Sequence, residues 1–203
     1  MIGYDAGDLL EGAWIVFAVY WLVAALRRNP AKKREPAGEW LLRFAVMASA
    51  FILLYKADPR WGMLNDRFIP SVPWVRPLGA ALAWIGIALA IWARHHIGRY
   101  WSGSVSLRTD HQLIRTGPYS RIRHPIYTGI LMALAGTVLV IGRYRGLLAF
   151  ALILAGFIWK SKREEKLLAS EFGPAFEEHK RLTGFFLPRW SQPTGPRSGD
   201  SRP

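Results

Sequence analysis

Residues 126–159, IYTGILMALAGTVLVIGRYRGLLAFALILAGFIW, contain two apolar runs that are separated by a short basic loop. The first run is Ile126–Ile141, the second is Leu147–Trp159, and only the residues GRYRG lie between them. Consecutive helices that are joined by so short a loop lie antiparallel to each other. The stretch therefore predicts a tight helical hairpin whose two outer ends emerge on the same side of the protein.

Three further apolar segments precede this hairpin, and they are Leu9–Leu26, Trp40–Tyr55 and Leu78–Ala93. All of these segments are shorter than the roughly 20 residues that cross the hydrocarbon core of a bilayer. Tryptophan, tyrosine, lysine and arginine side chains at their ends are therefore expected to complete each crossing at the headgroup level. Because little amphipathic helix remains to cover them, a soluble fold is excluded. The sequence predicts an all-α polytopic integral membrane protein with about five transmembrane helices.

The 27 Lys and Arg residues exceed the 14 Asp and Glu residues, which gives a formal net charge of +13. Such basicity is also typical of nucleic-acid-binding proteins, but here the basic residues lie between long apolar runs, so no nucleic-acid partner is expected. Twenty of them lie in the loops after the first and third segments and in the tail, against six in the other loops. Since cytoplasmic loops carry the excess of Lys and Arg, the N-terminus is expected outside and the C-terminus in the cytoplasm, in the inner membrane if the source is bacterial.

The sequence argues against a metal site and against a reactive cysteine. The chain has no cysteine, which excludes disulfides, a thiol nucleophile and a thiolate metal site. The adjacent His95 and His96, together with His111, invite a metal interpretation, but they lack the usual ligand spacing and have only Asp110 as an acid nearby. The sequence predicts no metal site.

Small residues recur at helical spacing in the last three apolar segments, which is typical of close helix–helix contacts in lipid. They are Gly79, Ala83, Gly86 and Ala90 in the third segment, Gly129 and Ala133 in the fourth, and Ala151 and Ala155 in the fifth. We expect them to form helix contacts rather than to bind a ligand.

The stretch 94–123 is too long for a simple connector, and it leads into the sequence RHPIYTG that opens the fourth segment. Pro125 suits the first turn of a helix, so His124 is expected beside a helix N-terminus. A helix N-terminus that is flanked by two arginines is a potential site for a carboxylate or a phosphate. The alternative is that Pro125 only begins the helix and His124 only caps it.

A second polar patch follows the fifth segment and contains the acid pair Glu164 and Glu165. One interpretation is a solvated helix extension in which Lys160 and Glu164 pair, ending at Phe172–Pro174. That interpretation leaves unexplained why two acids lie beside an otherwise basic membrane exit. Because the hairpin brings His124 and Glu164 to the same side, the two patches are predicted to share one pocket.

The C-terminal part carries two more predicted features. A short amphipathic helix is expected at Pro174–Arg181, with His179 on its surface. Phe185–Pro188 and Trp190 are typical of a segment that returns to the membrane interface. Residues from Ser191 onward are rich in Pro, Gly, Ser and Arg and are predicted to be disordered.

Several of these motifs occur together in one known family. The combination of GPY at 117–119, RHPIYTG at 123–129, the acid pair at 164–165 and FG at 172–173 resembles the isoprenylcysteine carboxyl methyltransferase family and its phospholipid methyltransferase relatives. The resemblance covers Gly98 to Pro188. It implies an S-adenosylmethionine-dependent methyltransferase within the bilayer, with a cofactor pocket that the C-terminal segments close on the cytoplasmic side.

The resemblance also implies which residues bind the cofactor. His124, Tyr127 and Gly129 would line the site, and Glu164 or Glu165 would hold an amino or hydroxyl group. The stretch from His111 to Tyr119 would lie over the adenosine. The full set is His111, Leu113, Gly117, Pro118, Tyr119, His124, Pro125, Tyr127, Gly129, Glu164 and Glu165.

The methyl acceptor that the resemblance implies is the carboxylate of an isoprenylcysteine-like or other lipophilic molecule. A carboxylate is ionised at neutral pH and needs no general base, but it needs a cation to hold one oxygen while the other attacks. Arg121, Arg123 or Arg163 could provide that cation. An amine acceptor would instead need an acid residue or a histidine to remove its proton.

These expectations divide the chain into three parts: a two-helix membrane region at 1–77, a methyltransferase core at 78–190 with three transmembrane helices, and a disordered tail at 191–203. The expected partners are the lipid bilayer and a lipophilic or prenylated substrate. Two alternatives stay open on the same scaffold, a phospholipid N-methyltransferase and an NADPH-dependent membrane reductase. A further alternative that is not an enzyme is a membrane scaffold held together by its Gly and Ala faces.

Overall fold

The computed structural model describes residues 5–26, 37–56, 58–70, 72–98 and 112–190, and the regular elements among them are helices. Two isolated β-bridges are the only extended pairing in these ranges. The main helices in chain order are α1 Ala6–Leu26, α2 Ala37–Tyr55, α3 Val75–Ile97, α4 Pro125–Ile141, α5 Tyr144–Phe172 and α6 Pro174–Leu182, with short 3₁₀ turns at Pro59–Asn65 and Gly117–Ser120. The predicted all-α fold is confirmed.

Each predicted apolar segment lies within one of the helices α1 to α5. Three of these helices, α1, α3 and α5, are long and apolar enough to cross a membrane, whereas α4 and the apolar part of α2 are shorter. Exposed tryptophans at positions 74 and 92 flank the apolar part of α3. At a rise of 1.5 Å per residue they lie about 27 Å apart, close to the thickness of the hydrocarbon core. The protein is therefore an all-helical membrane protein with three candidate spans.

The closest helix contact joins α3 and α4, and glycine makes it possible. A Cβ atom on Gly79 would lie 2.6 Å from the carbonyl oxygen of Gly136, and one on Gly86 would lie 2.5 Å from that of Gly129. Both distances are shorter than any side chain tolerates, so the two backbones touch directly. The prediction that the small residues of the third and fourth segments form helix contacts is confirmed, and the two segments contact each other.

The predicted contact through Ala151 and Ala155 of α5 is wrong, because both residues are exposed. The buried face of α5 carries Ala149 and Ile153 instead, which pack with α2 and α4 in one apolar cluster. Ala151 and Ala155 are one turn apart, but they lie on the other side of the helix.

Polar contacts hold the N-terminal helices against this core. The indole Nε1 of Trp14 in α1 donates to Oγ1 of Thr137 in α4 over 3.0 Å. The buried Arg145 of α5 donates from Nη1 to the carbonyl oxygens of Leu53 and Leu54, over 2.5 and 2.6 Å, at the C-terminal end of α2. These contacts satisfy backbone and side-chain groups that would otherwise be buried without a partner.

The chain reverses after α5 and returns over the end of α4. Gly173 ends α5 with a φ of +49°, a conformation that glycine adopts readily, and α6 begins at the next residue. Residues 183–190, here called the C-terminal strap, then lie beside residues 121–124. The amide of Arg123 donates to the carbonyl oxygen of Gly184 over 2.9 Å, and the amide of Gly184 donates to that of Arg121 over 3.0 Å.

The structure corrects one prediction about α6. His179 was expected at the surface, but it is only 4% exposed. The amphipathic helix turns the side that carries Phe176 and His179 inward, and both residues are buried there. The predicted disordered tail from Ser191 lies outside the described residues.

Candidate active site

The N-terminus of α4 places His124 at the centre of the candidate site. His124 occupies the position before the first helical turn, and Pro125 begins that turn as predicted. The imidazole does not cap the helix, because no side-chain hydrogen bond joins it to the free amides of α4. The ring instead faces the end of α5, where the two glutamates lie.

Two carboxylates of α5 bracket the imidazole. Oε1 of Glu165 lies 3.2 Å from Nε2 of His124, and Oε2 of Glu164 lies 3.7 Å from its Nδ1. The hydroxyl of Tyr127, one turn into α4, donates to Oε1 of Glu164 over 2.9 Å. The predicted approach of His124 and Glu164 is confirmed, and His124, Tyr127, Glu164 and Glu165 are called the His–Glu cluster below.

Basic groups balance the charge of the two glutamates. Nε of Arg123 donates to Oε1 of Glu165 over 2.6 Å, and Nζ of Lys160 lies 3.8 Å from Oε1 of Glu164. The side chains of Glu164 and Glu165 are only 22% and 13% exposed. Ion pairs that are partly removed from water interact more strongly than exposed ones and fix the geometry of the groups they join.

Aromatic rings lie against the polar cluster. The ring of Tyr127 stacks on that of Phe157 with centroids 4.7 Å apart. From the C-terminal strap, the rings of Phe185 and Phe186 meet the His124 ring edge-on at 5.0 and 6.0 Å. The cluster therefore lies at a boundary between charged groups and an apolar region.

The structure separates the three arginines that were candidates for binding the substrate. Arg123 lies in the cluster and also donates from Nη1 to the carbonyl oxygens of Lys180 and Thr183, over 3.2 and 2.5 Å. Arg121 is exposed and lies over the ring of Trp190 at 4.5 Å. Arg163 lies over the ring of Trp159 at 5.0 Å. Arg123 pairs with Glu165, and it holds α6 and the strap in place.

The predicted loop residues pack between the end of α3 and the start of α4. Pro118 and Tyr119 are buried in a 3₁₀ turn, and Leu113 is half-buried. The hydroxyl of Tyr119 donates to the carbonyl oxygen of Ala93 over 3.4 Å. Burial, reinforced by the negative charge of Glu164, raises the pKa of Tyr119 far above its usual range, so the phenol stays neutral.

Two predicted glycines serve close packing in the structure. Gly117 has a φ of +59°, and a Cβ there would lie 2.7 Å from the His96 ring, which itself contacts the hydroxyl of Thr116 at 2.8 Å. Gly129 faces α3 rather than the His–Glu cluster. The predicted His111 lies outside the described residues.

Comparison with known proteins relates this segment to one family. Residues 79–170 match the isoprenylcysteine carboxyl methyltransferase (ICMT) family, and this range contains the His–Glu cluster. The matched segment, somewhat less than half of the chain, is similar to that family.

Three named proteins are similar to this chain in sequence. The chain is 37% identical to the cobalt-zinc-cadmium resistance protein CzcN of Cupriavidus metallidurans, over 58% of this chain and 53% of that protein. It is 34% identical to the protein-S-isoprenylcysteine O-methyltransferase of Schizosaccharomyces pombe, over 39% of this chain and 34% of the yeast protein. It is 25% identical to a methanethiol S-methyltransferase of a Pseudomonas species, over 96% of this chain and 85% of that protein. The chain thus spans about half the length of the first of these relatives and a third of the second.

A solved ICMT structure shares the fold. The structure of the eukaryotic intramembrane Ras methyltransferase ICMT superposes with a TM-score of 0.59 at 18% sequence identity. The match covers 92% of this chain and 68% of that one. The likeness supports the ICMT arrangement of helices for nearly the whole chain.

Within this candidate site, sequence reasoning missed Ser161. The residue is fully buried, and its hydroxyl has no hydrogen-bond partner among the residues that the structure describes. It lies one turn before Glu165, on the same face of α5. That spacing was the one sequence feature that could have indicated Ser161 as a site residue. A single serine in a helix forms no motif, so it was not recognised.

Proposed function

We propose that this chain is an S-adenosylmethionine-dependent membrane methyltransferase that methylates the carboxylate of an isoprenylcysteine-like or other lipophilic acid. The observation that carries the proposal is the His–Glu cluster, formed by distant parts of the ICMT segment at the edge of an apolar region. The name of the yeast relative, a protein-S-isoprenylcysteine O-methyltransferase, supports the choice of acceptor.

The residues of the cluster fit the proposed cofactor. S-adenosylmethionine has an amino group and ribose hydroxyls that carboxylates can accept from, and a sulfonium that aromatic faces attract. Glu164 and Glu165 provide the carboxylates, and Tyr127 and Phe157 provide the rings. Ser161 offers a buried hydroxyl that has no hydrogen-bond partner among the described residues. When bound, the cofactor supplies a methyl group: a carboxylate oxygen forms the new C–O bond, the C–S bond breaks with its electron pair on sulfur, and no proton is released.

The two glutamates have different proposed roles. Oε1 of Glu165 is held by both Arg123 and His124, so Glu165 positions the imidazole and the strap. Glu164 is the more exposed of the two, and we assign it to the amino or hydroxyl group of the cofactor. Tyr127 fixes the orientation of Glu164 through its hydroxyl.

The remaining proposed site residues surround this centre. Pro125 and Gly129 set the start and the close packing of α4, and the turn at Gly117–Ser120 brings Pro118 and Tyr119 beside it. We assign the loop that includes Leu113 and the predicted His111 to the adenosine.

We further propose that α2 and α4 cross the membrane with the three longer helices, giving five spans. The C-terminal strap and the His–Glu cluster then lie on the cytoplasmic side. The excess of Lys and Arg in the corresponding loops supports this orientation.

Calorimetric titration with S-adenosylhomocysteine tests the cofactor site. Glu164→Gln should weaken binding by about tenfold, because a charge-assisted hydrogen bond is replaced by a neutral one. Glu171→Gln is the matched control, since Glu171 is an exposed residue of the same helix, and it should leave the affinity unchanged. A wild-type protein that does not bind the ligand would contradict the proposed function.

The acceptor is tested with a radiolabelled methyl donor and N-acetyl-S-farnesylcysteine. Methylation of the carboxylate gives an ester, so the label should be released by mild base. The relative that is named methanethiol S-methyltransferase and that covers most of this chain favours a second candidate, a thiol acceptor. Label transfer to a lipophilic thiol, stable to base and absent with the carboxylate, would select that second function.

A further inference from the structure

The position of Lys160 suggests a role that the sequence motifs do not assign. Lys160 lies on α5, one turn before Glu164, and its side chain is only 13% exposed. Its Nζ is 3.8 Å from Oε1 of Glu164 and 5.3 Å from the centre of the Tyr127 ring. We infer that Lys160 binds the acid group of the methyl acceptor and selects anionic over neutral acceptors. This inference rests on the proposed function.

The contacts of the three arginines leave the binding of the acceptor's acid group to Lys160. Arg123 already binds Glu165 and two carbonyl oxygens, so its guanidinium holds the C-terminal strap. Arg121 lies over the ring of Trp190, which is 74% exposed, and Arg163 lies over the ring of Trp159, which is 41% exposed. Lys160 is the cation that lies beside both Tyr127 and Glu164, where the polar cluster meets the apolar region.

The chemistry of the lysine side chain suits this boundary. Its four-carbon stem packs along apolar surface while the ammonium reaches polar surroundings. The face of the Tyr127 ring attracts the ammonium and holds it on the side of α4. A lipophilic acid that keeps its chain among apolar residues presents its carboxylate at this same level. A neutral thiol or an amine gains nothing from the ammonium.

The charge balance also favours an anionic acceptor. Arg123 and Lys160 together neutralise Glu164 and Glu165. The proposed cofactor carries one net positive charge, so a singly charged carboxylate makes the occupied site neutral. Replacing Lys160 by a neutral residue leaves the protein groups with a net negative charge that repels the acceptor.

The experiment compares Lys160→Met and Lys160→Arg with the wild type, using the full chain in lipid nanodiscs and N-acetyl-S-farnesylcysteine as the acceptor. Lys160→Met should raise the KM for this acceptor at least tenfold while the affinity for S-adenosylhomocysteine changes less than threefold. Lys160→Arg should keep the KM within about threefold, because the charge is retained. Lys162→Met, an exposed lysine of the same helix, is the matched control and should behave as the wild type.

A neutral competitor provides a second readout. The methyl ester of N-acetyl-S-farnesylcysteine has no acid group, so it should inhibit the wild type and Lys160→Met with equal affinity. An unchanged KM in Lys160→Met overturns the inference, and so does an equal loss of cofactor affinity, which would place Lys160 at the cofactor. A wild type that binds S-adenosylhomocysteine but does not methylate this acid contradicts the proposed acceptor itself, and the inference falls with it.

Discussion

The hydroxyl of Ser161, one turn before Glu165 on α5, is buried without a hydrogen-bond partner among the described residues. A buried hydroxyl without a partner destabilises a folded protein, so a group that binds there gains from satisfying it. In the proposed methyltransferase that group is a polar atom of the cofactor. Replacing this serine therefore shows whether its hydroxyl contacts a ligand or only packs within the protein.

Ser161→Ala is predicted to weaken S-adenosylhomocysteine binding about fivefold, the usual value of one hydrogen bond, while the melting temperature stays the same or rises. Calorimetry and thermal unfolding of the same sample check both values. Ser170→Ala is the control, because Ser170 is exposed on the same helix and bonds only to the carbonyl oxygen of Leu167. An unchanged affinity in Ser161→Ala would remove Ser161 from the site.

The residues of the His–Glu cluster could be found from the sequence because they belong to compact motifs at the two ends of one hairpin. The hairpin fixes which backbone positions approach, and His124 and Glu164 follow from it. The roles of the arginines could not be found in this way, because their long side chains turn to whichever partner lies near. Arg121 and Arg163 meet tryptophan rings, and only the folded structure shows that Arg123 binds the carbonyl oxygens of Lys180 and Thr183.

At the scale of helices, the contact between α3 and α4 determines where His124 lies relative to the end of α3. Gly86→Ala is predicted to lower the free energy of unfolding by about 1–3 kcal/mol, because its Cβ would lie 2.5 Å from backbone atoms of Gly129 and Ala133. Gly156→Ala is the matched control, since no atom lies within 4 Å of its added Cβ, and it should be neutral or stabilising. Thermal unfolding in detergent compares the two, and equal melting temperatures would contradict the close contact.

Helix α6 carries a buried histidine whose protonation opposes folding. Burial, reinforced by the positive charges of Arg115 and Arg123, lowers the pKa of His179 to about 4, from 6.5 in an unfolded chain. Between these two pH values the unfolded state binds a proton that the folded state does not. His179 therefore does not reduce the free energy of unfolding above pH 6.5. It reduces this free energy increasingly as the pH falls toward 4.

Relative to His179→Gln, which cannot take up this proton, the wild type is predicted to lose about 1–3 kcal/mol of stability as the pH falls over that range. Melting temperatures of both proteins across the range measure the difference. The comparison between the two removes the contribution of the carboxylates, which titrate in both. If the melting temperatures of the two proteins changed equally with pH, the burial of His179 would be contradicted.

The helices themselves followed from the sequence, since long apolar runs can only be helical in lipid. The end of α5 at Phe172 was also predictable, because glycine and proline follow it directly. Which face of α5 packs inward was not predictable, since small residues occur on both faces and only the neighbouring helices decide between them. The burial of His179 likewise depends on where α6 docks, and a single amphipathic helix does not specify that.

For the whole molecule, the proposed orientation places the turn between α2 and α3 outside and the extension of α5 in the cytoplasm. The absence of cysteine makes this testable with single introduced cysteines. Met63→Cys, at a residue that is 79% exposed, should react with a membrane-impermeant maleimide in intact cells. Lys166→Cys, at an exposed position of α5, should react only after permeabilisation. The reverse pattern would contradict the orientation, and labelling of both in intact cells would contradict a crossing between them.

The C-terminal strap has a consequence for how the protein is made. Its residues are translated after all five long helices, yet they supply Phe185 and Phe186 beside His124 and the carbonyl oxygen that Arg123 binds. A nascent chain can insert its hydrophobic helices one after another during translation. If the proposed methyl donor binds at the His–Glu cluster, its site is complete only after translation has passed the strap, so prematurely terminated chains would reach the bilayer but stay inert.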